Sequence, residues 1–94
     1  MILDELYNTI LSRKEKLPLG SYVSSLFKNG KDRIIQKVGE EVVEVVIAAK
    51  NKNRERLISE IADLVFHILV LLAACNVSFD EILTELKKRQ EKKT

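Results

Sequence analysis

The stretch DRIIQKVGEEVVEVVIAAKN, residues 32–51, decides the fold. Its centre, VVEVVI, has the β-branched composition of a strand, but its spacing is helical. At ~100° per residue, Ile34, Ile35, Val38, Val42, Val45, Val46 and Ala49 share one ~120° face. Arg33, Lys37, Glu40, Glu41 and Glu44 share the adjacent face. One helix, N-capped by Asp32 and running to about Asn51, therefore sets a core stripe beside a charged stripe. Gly39 costs about 1 kcal/mol relative to Ala inside such a helix and suits a place where another helix comes close.

The charged stripe carries EExxE (Glu40, Glu41, Glu44), and ExxD (Glu60, Asp63) follows on the next helical stretch. Like charges at these spacings cost a few tenths of a kcal/mol each in an isolated helix. A fold that faces the two clusters toward each other needs a counter-charge. An all-oxygen donor set favours Mg²⁺, or Mn²⁺, over iron or zinc, and the Glu-x-x-His pairs of di-iron bundles are absent. The competing reading is a solvated acidic face paired with lysines. His67 is the single histidine, inside LVFHILV and on the face of Glu60 and Asp63. It reads either as a packed, hydrogen-bonded core residue or as a contact to a metal ligand.

Outward from this stretch, further helices are expected at residues 2–14, 53–75 and 78–89. The first stops before Pro18 and Gly20. The third becomes apolar nearly all round from Leu64, which in so short a chain implies a partner subunit. The fourth opens with the capping box Ser78…Glu81 and leaves a frayed tail, QEKKT. Residues 17–31 form a connector rich in turn formers, with a helical turn possible at 21–27.

Ninety-four residues make one domain, residues 1–94, with 16 basic and 14 acidic side chains and a net charge of +2. That balance does not mark a nucleic-acid binder. One cysteine excludes an intrachain disulfide framework. The acidic N-terminus lacks the basic start of a signal peptide. The apolar run 61–75 is broken by Asp63 and His67 and is short for a bilayer span, so a soluble cytoplasmic protein is expected. Ser21, Tyr22 and Lys28 in the connector, with Arg33 and Lys37, read either as linker and surface ion pairs or as contacts to an anionic substrate.

GSYVSSLFKNG (residues 20–30), RIIQKVGEEVVE (33–44) and SEIADLVFHILVLL (59–72) together resemble the phosphoribosyl-ATP pyrophosphohydrolase family of histidine biosynthesis, within the MazG-like all-α superfamily. The resemblance implies a four-to-five-helix bundle completed by homodimerisation. It implies Mg²⁺-dependent hydrolysis of phosphoribosyl-ATP to phosphoribosyl-AMP and pyrophosphate. Carried over by position, Glu41, Glu44, Glu60 and Asp63 would hold metal, and Glu40 would bind a second ion or orient water. Lys37 and Arg33 would face phosphate, with Ser21, Tyr22 and Lys28 nearby. Val23 departs from the family's usual Thr, which puts a hydroxyl contact there in doubt. Without the cyclohydrolase domain fused to some relatives, only the pyrophosphohydrolase step is expected. The alternatives are a house-cleaning nucleoside triphosphate pyrophosphohydrolase and, in another class, a non-catalytic helical dimerisation module.

Overall fold

Helix boundaries fall where a side chain or a glycine satisfies the loose backbone groups. Asn53 Oδ1 accepts from Arg56 N at 3.1 Å. Ser78 and Glu81 cap reciprocally, with Ser78 N donating to Glu81 Oε2 at 2.8 Å. The computed structural model describes residues 2–94 and is all-α: α1 (Ile2–Lys16), α2 (Tyr22–Asn29), α3 (Lys31–Lys50), α4 (Arg54–Ala74) and α5 (Phe79–Lys93). Asn76 ends α4 in the left-handed region at φ 58°.

Four boundaries differ from the sequence expectation. The connector holds a full helix, α2, because Ser21 Oγ accepts from Ser24 N at 3.2 Å and Val23 and Leu26 are buried. Asp32 is not the N-cap of α3 but sits in its first turn. Gly30, at φ 99°, ends α2 by donating its N–H to Leu26 O and Phe27 O, and it starts α3 at the same residue. No position is left for Asp32 to cap. α1 extends to Lys16, and α5 continues through the tail to Lys93 instead of stopping near Arg89. The Arg89–Glu85 pair at 2.9 Å and the basic last turn both favour that extension.

The core lies at one end of the molecule. Ile10, Val23, Leu26, Ile34, Leu69, Val70 and Ala73 are buried together there, from α1, α2, the start of α3 and the far half of α4. Val23, where the family usually has Thr, is part of this core. Lys14 Nζ ties α1 to the end of α4, donating to Ala73 O at 2.7 Å and Asn76 Oδ1 at 3.0 Å. Tyr7 Oη donates to Val77 O at 2.7 Å.

Beyond that core, the second half of α3 and the first half of α4 run on as an antiparallel pair closed by residues 51–53. The predicted stripe on α3 is only partly internal. Its buried line is Ile34, Glu41 and Ala48, while Ile35, Val42 and Val46 are about half exposed at 50%, 44% and 53%. Two helices can shield only one line of each other, and here that line passes through a carboxylate. Gly39 has open space around it, so no close approach calls for it within the single chain. α4 reaches back to Arg54, earlier than the 61–75 run, and by length and apolarity it is sufficient to cross a bilayer. It is also the helix on which α1 and α3 pack.

Candidate metal centre

The turn between α3 and α4 sets which carboxylates meet. Glu41 lies eleven residues before Lys52 and Asp63 eleven after it, so antiparallel packing brings them alongside each other. Glu60, one turn before Asp63, joins them. Carboxylate oxygens of Glu41, Glu60 and Asp63 lie within 4.8 Å of one another. Glu41 is buried, Glu60 half-buried and Asp63 exposed. At that separation each pair of charges repels by roughly 1 kcal/mol in a water-like medium and about 3.5 in a protein-like one. An all-oxygen set of carboxylates gathered this closely suits one small hard cation.

The other two acids hold basic partners. Glu44 Oε2 accepts from Arg56 Nη2 at 2.9 Å, and Arg56 Nε lies 3.9 Å from Glu60. Glu40 lies 3.6 Å from Arg33 and 3.7 Å from Lys37, and accepts from Gln36 at 3.2 Å. Lys37 stands 3.4 Å from Glu41. Burial acts to lower the Lys37 pKa, but Tyr22, Glu41 and Glu40 raise it more, and the net direction is up. Lys37 thus sits as a firmly held ammonium at the edge of the carboxylate trio.

On the α2 side, Tyr22 Oη is 2.8 Å from His67 Nε2, and His67 Nδ1 is 2.7 Å from Asp63 O. The Tyr22 ring stacks on Phe66 with centroids 6.3 Å apart. Of the two readings of His67, the structure gives a buried, hydrogen-bonded residue whose contact to Asp63 is through the backbone carbonyl. Ser21 spends its acceptor on the α2 cap, and Lys28 is exposed in the last turn of α2. Arg56 was not singled out from the sequence as a site residue. Its spacing to Glu60 is a visible i,i+4 signal, but its reach to Glu44 exists only once the hairpin closes.

Fold and site define a class: an all-α protein whose acidic side chains converge from two antiparallel helices. A family model described as phosphoribosyl-ATP pyrophosphohydrolase matches residues 3–90. A phosphoribosyl-ATP pyrophosphatase of Pelotomaculum thermopropionicum is 48% identical over 93 residues, covering 99% of this chain and 95% of the relative. The same enzyme from Metallosphaera sedula is 49% identical over 90 residues, covering 96% and 97%. That from Clostridium novyi is 46% identical over 91 residues, covering 97% and 83%. The chain belongs to the phosphoribosyl-ATP pyrophosphohydrolase family.

Proposed function

We propose that this chain hydrolyses phosphoribosyl-ATP to phosphoribosyl-AMP and pyrophosphate, the second step of histidine biosynthesis, with Mg²⁺ (or Mn²⁺) at the carboxylate centre. The convergence of Glu41, Glu60 and Asp63 in a chain that the family model matches over residues 3–90 carries this reading. Glu41, Glu60 and Asp63 would hold the ion, with Glu44, now paired to Arg56, as the fourth ligand. A bound divalent cation supplies neutralisation of the triphosphate and a water acidic enough to attack phosphorus. Glu40, which now rests against Arg33, Lys37 and Gln36, would bind a second ion or orient the attacking water. Lys37 and Arg33 stabilise charge on the departing pyrophosphate. Ser21, Tyr22 and Lys28 line the approach from α2. One domain suffices for the step, and the protein acts in the cytoplasm on a soluble nucleotide.

The working unit is a homodimer. The chain exposes 6837 Å², whereas a monomeric fold of its 10.8 kDa mass exposes about 5,500 Å². That excess, about 1,300 Å², exceeds the ~800 Å² that each partner buries in a standard interface. It includes Val42, Val43, Val46 and Ile47 of α3 and Ile58 and Ile61 of α4, all 40–58% exposed.

The test measures pyrophosphate release from phosphoribosyl-ATP and from a panel of nucleoside triphosphates, with and without Mg²⁺. Strong preference for the phosphoribosyl substrate is expected. Equal rates across the panel would move the assignment to a house-cleaning enzyme, and no Mg²⁺-dependent turnover would leave a dimerisation module.

A further inference from the structure

The imidazole of His67 is 5% exposed and has one contact that fixes its chemistry. Nδ1 faces the Asp63 carbonyl at 2.7 Å, and a carbonyl oxygen can only accept. Nδ1 therefore carries the proton. In the neutral ring Nε2 then holds a lone pair, so the Tyr22 hydroxyl at 2.8 Å must be the donor. The Tyr22 ring is held on two further sides, stacked on Phe66 and edge-on to His67 with centroids 5.7 Å apart. Its phenol proton is thereby spent inside the protein, although the residue itself is 49% exposed. A phenol in that state offers only acceptor lone pairs outward and has no proton to give a phosphate oxygen.

From this geometry we infer that Tyr22 and His67 are a positioning pair: they pin the first turn of α2 to α4 one helical turn from Asp63, and Tyr22 is not a phosphate donor. The consequence lies in what α2 carries. Ser21 caps this turn, Tyr22 opens it, and Lys37 lies close enough for Tyr22 to affect its charge. Fixing Tyr22 fixes the start of α2 beside Lys37, which itself stands 3.4 Å from Glu41. The kinetic part of the inference rests on the proposed hydrolysis; the hydrogen-bond part does not.

Two measurements test it. His67 is the single histidine, so its ring ¹⁵N resonances need no assignment by mutagenesis. At alkaline pH the metal-free protein is expected to show protonated Nδ1 and bare Nε2, with Nε2 shifted in Tyr22→Phe; the opposite tautomer overturns the pair. In the second, Tyr22→Phe and His67→Leu are each expected to lower kcat/KM about 5- to 10-fold, the size of one hydrogen bond. The double variant should be no worse than the poorer single one, and His67→Gln, whose amide oxygen can accept in place of Nε2, should recover most of the loss. Mn²⁺ affinity of Tyr22→Phe should stay at the wild-type value. Multiplying losses, or a loss confined to Tyr22→Phe, would make Tyr22 a direct substrate contact and overturn the inference. An inactive wild type with the expected tautomer would remove the hydrolase reading, and the kinetic role with it, while leaving the hydrogen bonds in place.

Discussion

The four-helix end of the molecule and the two-helix arm formed by α3 and α4 solve the same packing problem differently. At the four-helix end, α1, α2, α3 and α4 surround Ile34, Leu69 and Val70 and leave them at most 1% exposed. On the arm, chemically similar residues, Val42, Val46 and Ile61, remain 43–53% exposed, and the inward position is given to Glu41. A radius of gyration of 14.6 Å, against about 12 Å for a compact chain of this length, records the same asymmetry. One end is built for stability in the single chain; the other keeps carboxylates together and leaves apolar side chains exposed. Consistency between pattern and burial holds at the four-helix end and breaks along the arm that carries the carboxylates.

The sharpest way to break this contrast is to remove charge from the arm's interior. Asp63→Asn and Glu41→Gln are each expected to cut kcat/KM by more than about 100-fold, beyond the usual cost of losing an outer partner of a metal. For Asp63→Asn the thermal midpoint should be unchanged or higher, because repulsion is relieved, whereas Glu41→Gln also loses its pair with Lys37. Activity assays beside melting curves check this, and near-wild-type turnover in both variants would refute the centre. Next in size, Val46→Glu should convert a dimer to a monomer in sedimentation, since it places a charge in the apolar strip. An unaltered mass would locate the interface elsewhere.

Metal addition comes third. Saturation at 100 times Kd adds about 2.7 kcal/mol, or roughly 10–20 °C in Tm for a domain of this size. The shift should vanish in Asp63→Asn. A smaller effect belongs to the four-helix end. Ser24 is 1% exposed and its Oγ is a buried polar atom without a hydrogen-bond partner, so Ser24→Ala is expected to stabilise by about 1 kcal/mol in urea unfolding. A loss of stability there would reveal a partner for the hydroxyl.

The smallest effect is alkaline. On Lys37, burial lowers the pKa but Tyr22, Glu41 and Glu40 raise it further. On Tyr7, burial and the Glu81 charge both raise it. Each group therefore holds its proton more tightly when folded. The stability each contributes is present below the unfolded values of 10.5 and 10.0, and it is lost as pH climbs through the raised folded ones. The urea midpoint should hold up to about pH 10 and fall as pH rises beyond it, less steeply in Lys37→Met.

Much of this was legible in the chain. Helical spacing outweighed the β-branched composition of VVEVVI because amphipathic period is set by burial of a face, not by single-residue preference. Ser78–Glu81 announced its helix start because capping is local chemistry. The start of α3 misled because Gly30 serves two helices at once, and α2 was underestimated because its stability comes from burying Val23 and Leu26 against distant residues. Five acids were recognisable as a cluster, but which of them meet depends on the closure of the hairpin. That closure joins Glu41 to Glu60 and Asp63 and hands Glu44 to Arg56.

Sequence alone determined four of the five helices, the acidic composition of the site and the family, since each is written in spacing and residue type along a few turns. Tertiary structure decided the buried line of α3, the division of the carboxylates and the bond from Tyr22 to His67. Those depend on which side chains two separate helices bring within a few ångströms of each other, a distance that one-dimensional spacing does not contain.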